Sequence, residues 1–230
     1  MTNSHGQKQT TQPPMADGEP LNAQIYQRLR WALILGDYEP GDRMSIRSIA
    51  TELDSGLMPV REALQRLASE RALTSANKRS FRVSELQPGQ ASDLFFVRAR
   101  LESIATELAT PMMTQGQIER LDELARLMDE DIERENIREF LARNYTFHFT
   151  IYTAARNEEL VHVIENLWAQ SGPFLAQGVR RHGMSQEWRL FHSKIAAAIR
   201  ARDASLASSL IETDISWGVE EFRKLASHKP

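Results

Sequence analysis

Three stretches in the C-terminal half carry metal-ligating or proton-handling side chains at spacings that place them on apolar helix faces. Ile137, Phe140, Leu141, Asn144, His148, Ile151, Tyr152 and Ala155 recur at helical intervals, so two polar residues interrupt one apolar stripe. Asn144 and His148 lie four residues apart, one turn from each other, and can face a single ion. Trp188, Phe191, His192, Ile195, Ala198 and Ile199 repeat the arrangement, and Ala207, Leu210, Asp214, Trp217 and Gly218 set a carboxylate into a third stripe. A buried imidazole or carboxylate costs several kcal/mol unless it is paired or coordinates something. Two arrangements meet that cost: a polar site shared by three helices and able to hold a divalent cation, or a histidine paired with Asp214 inside the core. His162 falls opposite Leu160, Ile164 and Leu167 and is expected to face solvent. His182, within Arg180-Arg181-His182-Gly183, is expected in a loop. The acidic runs around Asp129 and Glu133 read as a solvated helix face.

A second chemistry lies nearer the N-terminus. Ile25, Leu29, Ala32 and Leu33 predict a helix that the turn residues Gly36 to Asp42 stop. Ser45 can cap a second helix carrying Ile46, Ile49, Ala50 and Leu53. After the turn Asp54-Ser55-Gly56, Pro59 suits a first helical position, and Val60, Ala63, Leu64 and Leu67 form the stripe of a third helix. Two short helices joined by a tight turn are a helix-turn-helix pattern. The outward face of the third helix presents Arg61, Glu62, Gln65, Arg66 and Ser69, which can reach base edges and phosphates. Leu73 to Val83 then predicts a hairpin wing with Asn77, Lys78 and Arg79 at a basic tip, suited to phosphate neutralisation.

Composition supports this division. The chain has 230 residues, 41% of them hydrophobic, and a net charge of −3, which as a total argues against a polyanionic partner. Residues 21–84, however, hold ten Lys/Arg against seven Asp/Glu, whereas 88–230 hold seventeen against twenty-one, so a +3 module is tethered to a −4 module. The absence of cysteine excludes disulfides, thiolate metal sites and cysteine nucleophiles. Residues 1–20 are polar and predict a disordered leader, with no signal-peptide plan and no membrane-length apolar run anywhere, so a cytoplasmic protein is expected. A break at Gln87-Pro88-Gly89 separates a module over 21–86 from one over 90–226, in which about six helical stretches predict an antiparallel bundle. The fold class is mainly α. The helix of Leu94 to Leu108, with Met112 and Met113, is expected at a dimer or domain interface.

Residues 21–84 resemble the winged helix-turn-helix of GntR-type bacterial regulators. The resemblance is carried by Gly36-Asp37-Tyr38-Glu39-Pro40-Gly41-Asp42-Arg43, by Ile49-Ala50-Thr51-Glu52-Leu53, and by Pro59-Val60-Arg61-Glu62-Ala63-Leu64-Gln65-Arg66-Leu67. It implies DNA contacts at Arg47, Arg61, Asn77 and Lys78. The family's polar stretch before the proline is here Gly56-Leu57-Met58, with Leu57 where an arginine is usual. Leucine donates no hydrogen bond but can touch a thymine methyl, so the resemblance implies an altered sequence preference. The wing also has Ser80 near the usual place of a glycine.

Residues 90–225 resemble the FCD ligand-binding domain of the FadR-like subfamily through Arg98-Ala99-Arg100-Leu101-Glu102, Asn144-Tyr145-Thr146-Phe147-His148, and His192-Ser193-Lys194-Ile195 with Ala198-Ile199. That domain holds a metal through an aspartate and three histidines, and the matching positions are Asn144, His148, His192 and Asp214. Two of the four have changed, so one carboxylate is kept at a different corner. The set suits Zn, Ni or Mn. Arg98 is implied to clamp an effector carboxylate, or else to form a surface ion pair with Glu102 at i+4.

Together these features predict a homodimeric transcription regulator, not an enzyme, probing a palindromic duplex-DNA operator under control of a small organic acid bound beside a metal. Its expected sign is repression. A metal-dependent hydrolase or lyase using His148, His192 and Asp214 is the alternative from another class. It lacks H-E-x-x-H, a Gly-rich phosphate loop and an evident general base. A helical adaptor follows only if Gly56-Leu57-Met58 disables the reader.

Overall fold

The computed structural model of the chain describes residues 19–77, 79–183 and 186–227, so the expected leader lies almost wholly outside the described residues. The N-terminal module runs α1 (Leu21–Ile34), β1 (Arg43–Ser45), α2 (Ile46–Glu52), α3 (Leu57–Ser69), β2 (Leu73–Asn77) and β3 (Ser80–Val83). Ser45 caps α2 as the sequence suggests, its hydroxyl accepting from the Ser48 N–H at 3.4 Å. α3 begins two residues earlier than expected, which moves Pro59 to the third helical position. Proline is tolerated there because the first four helical N–H groups lack intrahelical partners.

The wing is a three-stranded antiparallel sheet in the order β1-β3-β2, with Met44 opposite Phe81. β1 has no sequence signal of its own, since three residues cannot display alternation, and β3 supplies the ladder that defines it. Val60, Leu64 and Leu67 of α3 meet Ile25, Leu29 and Leu33 of α1 and the inner faces of Met44 and Phe81, which closes the module's core.

The second module packs six helices among the described residues: α4 (Pro88–Ala109), α5 (Gln115–Glu133), α6 (Ile137–Ala154), α7 (Glu158–His182), α8 (Gln186–Arg200) and α9 (Ala204–Ser227). His182 therefore ends α7 rather than sitting in a loop. The helix stops there because the next residue, Gly183, turns to φ +66°. On α4, Leu94, Ala105 and Ala109 are buried, whereas Val97, Ile104 and Leu108 stay 42%, 47% and 45% exposed.

The two modules share a helix. α1 gives Leu29 and Leu33 to the first core and Trp31, Ile34 and Leu35 to the second. It lies so close to α7 that a Cβ on Gly172 would sit 2.6 Å from the Ile34 Cα. A Cβ on Gly36, at φ +65°, would overlap the Ala176 side chain. Polar clasps flank this seam. Arg30 pairs with Glu165 at 2.6 Å, Arg138 forks onto Asp37 through two 3.0 Å hydrogen bonds, and Arg180 donates to the Gly36 carbonyl at 2.7 Å.

Candidate metal centre and nucleic-acid interface

On the first module, amphipathic periodicity turns Val60, Ala63, Leu64 and Leu67 inward and leaves Leu57, Met58, Arg61, Glu62, Gln65 and Arg66 outward. Arg61 and Gln65 are exposed, as is Arg47 on α2. Arg66 is held against the module: its guanidinium stacks 3.8 Å from the Tyr26 ring centroid and its Nε bonds Glu70 at 3.1 Å. Glu62 accepts from Asn22 at 2.8 Å, which ties its carboxylate to α1. Arg79 is exposed at the wing turn beside the backbone of Asn77; the Asn77 side chain and Lys78 lie outside the described residues. Arg43 is a further exposed cation, on β1.

In the bundle, α6, α8 and α9 bring all four sequence-selected positions together and bury them: Asn144 at 3%, His148 at 1%, His192 at 3% and Asp214 at 5% exposure. His192 Nε2 lies 2.9 Å from Asn144 Oδ1, and His148 Nε2 lies 3.4 Å from Asp214 Oδ2. Ligand atoms of His148, His192 and Asp214 all fall within 4.8 Å of one another. Burial, and after it the neighbouring His148, push the His192 imidazole down to about 4 against the opposing pull of Asp214, so His192 is neutral at ordinary pH.

The orientation of the His148 ring follows from a chain of contacts. Arg98 Nε bonds Glu102 Oε1 at 2.7 Å, and both side chains are buried, at 3% and 0% exposure. Glu102 is thus an ion-paired acceptor, and its Oε2 takes the Tyr152 hydroxyl proton at 2.6 Å. Burial first and then the Glu102 carboxylate hold the Tyr152 hydroxyl well above its ordinary range, so the proton stays on Tyr152. With its one hydrogen committed to Glu102, the Tyr152 oxygen can only accept from His148 Nδ1–H, 3.0 Å away. His148 Nε2 then faces Asp214 Oδ2 at 3.4 Å. Either a proton or a cation between these two atoms satisfies the contact.

The donor set fits a divalent ion. Ligand atoms on one ion with bonds of about 2.1 Å stand about 3.3–4.2 Å apart, so the triad needs only a small contraction. The Glu102–Tyr152–His148 chain is the outer-shell support that such an imidazole requires. Beside it lies a cavity of about 20 Å³, lined by Arg98, Asn144, His148, Trp168, Asp214 and Trp217, with room for one water-sized body.

Residues 21–83 match the family described as bacterial regulatory proteins, gntR family, and residues 93–216 match the FCD domain. The chain belongs to the GntR family of regulators, with an FCD domain behind its reader. It is 29% identical over 186 residues to the HTH-type transcriptional regulator McbR of Escherichia coli, covering 80% of this chain and 84% of McbR. It is 25% identical to the transcriptional repressor GlaR of Escherichia coli, covering 81% and 88%. The solved structure of Escherichia coli McbR/YncC superposes with a TM-score of 0.84 at 26% identity, over 90% of this chain and 99% of that one. Like these relatives, the protein is a transcription regulator and not an enzyme, which retires the hydrolase alternative. No helix among the described residues is long and apolar enough to cross a membrane.

Against this family background, the expectation of a surface Arg98–Glu102 pair is corrected. The pair is internal because α7 covers it: Trp168 stacks 4.5 Å from the guanidinium and Ser171 accepts from Arg98 at 2.9 Å. Sequence reasoning also missed Tyr152, read as an ordinary apolar-stripe residue, and Glu102, read as half of an i+4 pair. A tyrosine one turn beyond an inward histidine was the available signal for the first; nothing local marks the second.

Proposed function

We propose that the protein is a cytoplasmic, homodimeric repressor that releases a palindromic operator when a small carboxylate effector enters the FCD bundle beside a divalent metal. The observation that carries the metal is the convergence of ligand atoms from His148, His192 and Asp214 within 4.8 Å of one another, with the His148 ring oriented by the Glu102–Tyr152 relay. His148, His192 and Asp214 would hold the ion, with the Asn144 carbonyl oxygen as a weaker fourth donor. Bound there, a divalent cation supplies a Lewis-acid centre for an effector carboxylate. Arg98 adds a positive charge on the cavity wall. Trp168 lines the same cavity and keeps its indole N–H without an acceptor among the described residues.

The cavity admits an ion or a water but not an organic acid, so an effector enters only by displacing a wall. One wall leads to the reader. Trp168 packs edge-on against Tyr145 at 5.7 Å, Tyr145 packs against Trp31 of α1 at 4.8 Å, and the Tyr145 hydroxyl bonds Glu165, the partner of Arg30. An effector that prefers the displaced wall thereby prefers a different setting of α1.

DNA contact is assigned to Arg47, Arg61, Gln65 and the wing residues Asn77, Lys78 and Arg79, with Arg66 acting from its stacked position on Tyr26. The second copy is assigned to the exposed α4 residues Val97, Ile104 and Leu108, which recur on one side of the helix, together with Met112 in the turn that follows it. Elemental analysis and native mass spectrometry of the purified protein test the central claim. One divalent ion per chain, lost in His148→Ala, is expected; a full-length protein with no stoichiometric metal after metal loading sinks the metal-linked effector.

A further inference from the structure

Two large apolar side chains stand in solvent at the start of the reading helix. Leu57 is 52% exposed and Met58 is 61% exposed, whereas Val60 and Leu64, one and two turns on, are fully buried. Single exposed hydrophobics are common, but here two are consecutive, in the first turn, behind a Gly56 N-cap that offers no side chain of its own. Helical spacing sets Met58 on the same outward face as Arg61 and Gln65. The module as a whole is basic: Arg43, Arg47, Arg61 and Arg79 are all exposed on it, and it carries a net +3 over residues 21–84. A basic surface draws the duplex phosphates, and the N-terminal residues of a recognition helix are the ones that meet base edges in the major groove.

An apolar pair cannot bond N7, O6, O4 or N4. The one apolar feature on a major-groove base edge is the C5-methyl group, which thymine carries and cytosine lacks. We infer that Leu57 and Met58 read a C5-methyl group in each operator half-site. Because neither side chain can sense the exocyclic O4 or N4, the pair recognises the methyl and not the base that bears it. A 5-methylcytosine in that place is therefore bound as well as thymine, while uracil and cytosine are bound more weakly. The inference rests on the DNA-binding assignment and adds to it the chemical group recognised.

The test begins with full-length protein and a random duplex pool, from which the preferred half-site is selected. At each thymine of the selected site, four duplexes are compared by titration: T·A, U·A, 5-methylC·G and C·G. At one position per half-site, affinity should be alike for T and 5-methylC and fall for U and C, by about fourfold per methyl group lost from contact. In a palindrome substituted on both sides the loss should reach about fifteenfold, being the product of two such contacts. The double variant Leu57→Ala, Met58→Ala should bind all four duplexes alike. Its melting temperature should be unchanged, since both side chains are exposed. Equal affinity for U and T at every position overturns the inference, as does methyl sensitivity that persists in the double variant. A protein that enriches no duplex and shows no salt-dependent retardation overturns the DNA-binding assignment itself, a result distinct from either of those.

Discussion

The two modules place their chemistry on opposite sides of their helices. In the reader the inward stripe of α3 is purely apolar, and Arg47, Arg61, Gln65 and Arg79 stand outside on a basic module. In the bundle the inward stripes of α6, α8 and α9 themselves carry the polar groups proposed to hold a metal, at 1% to 5% exposure. Exposed contacts with DNA are loosely positioned by their own helix and gain strength from a polyanion in water. Buried donors work in a low dielectric, where every group must be satisfied and orientation is set by a second layer of residues. Changes in the reader should therefore alter binding and spare folding, while changes in the bundle should alter both.

The sharpest test is Glu102→Ala, which strands the Arg98 guanidinium in the interior. Loss of one member of a buried pair costs about 3–5 kcal/mol, and for a chain of this size the melting temperature should drop by about 10 °C. A drop no larger than that of an exposed-pair variant would erase the contrast between modules. Acid should act on the bundle next. His192 is held down to about 4 by burial, so between its ordinary pKa near 6.5 and pH 4 the unfolded chain binds a proton that the folded chain refuses. Stability should be level in this respect above pH 6.5 and decline toward pH 4 in denaturant titrations, and His192→Gln should flatten that decline.

Arg61→Ala should weaken operator binding by about 1–3 kcal/mol with melting temperature and metal content unchanged. Loss of metal together with DNA binding would mean that the modules do not act separately. Tyr152→Phe keeps the ring and removes the oxygen that orients His148. Metal affinity should fall about 10- to 100-fold in a competition titration while DNA affinity without effector holds. The smallest effect is expected at Arg100→Ala, whose pair with Glu212 is 58% and 35% exposed. It should cost under about 1 kcal/mol and shrink further in salt.

Most of the reader was legible in sequence, because its helices announce themselves by stripes and turns and its function needs only what points away from the stripe. Ser45 as a cap and Val60 to Leu67 as the buried face are examples. β1 was not legible, since pairing with β3 across some forty residues creates it. In the bundle, periodicity identified Asn144, His148, His192 and Asp214 as inward groups, because helical direction is a local property of spacing. It left open whether they meet one another or separate partners.

The sequence by itself determined which residues turn inward, which module carries positive charge, and that cysteine chemistry is absent. Tertiary structure alone decided that three helices converge on one polar cluster, that Arg98 and Glu102 are sealed under Trp168, and that α1 serves two cores. The physical reason is range. Spacing of 3 or 4 residues fixes direction along one helix, but the Tyr152–Glu102 bond joins residues 50 positions apart. Only packing brings such a pair together, and that packing sets how the His148 ring faces Asp214.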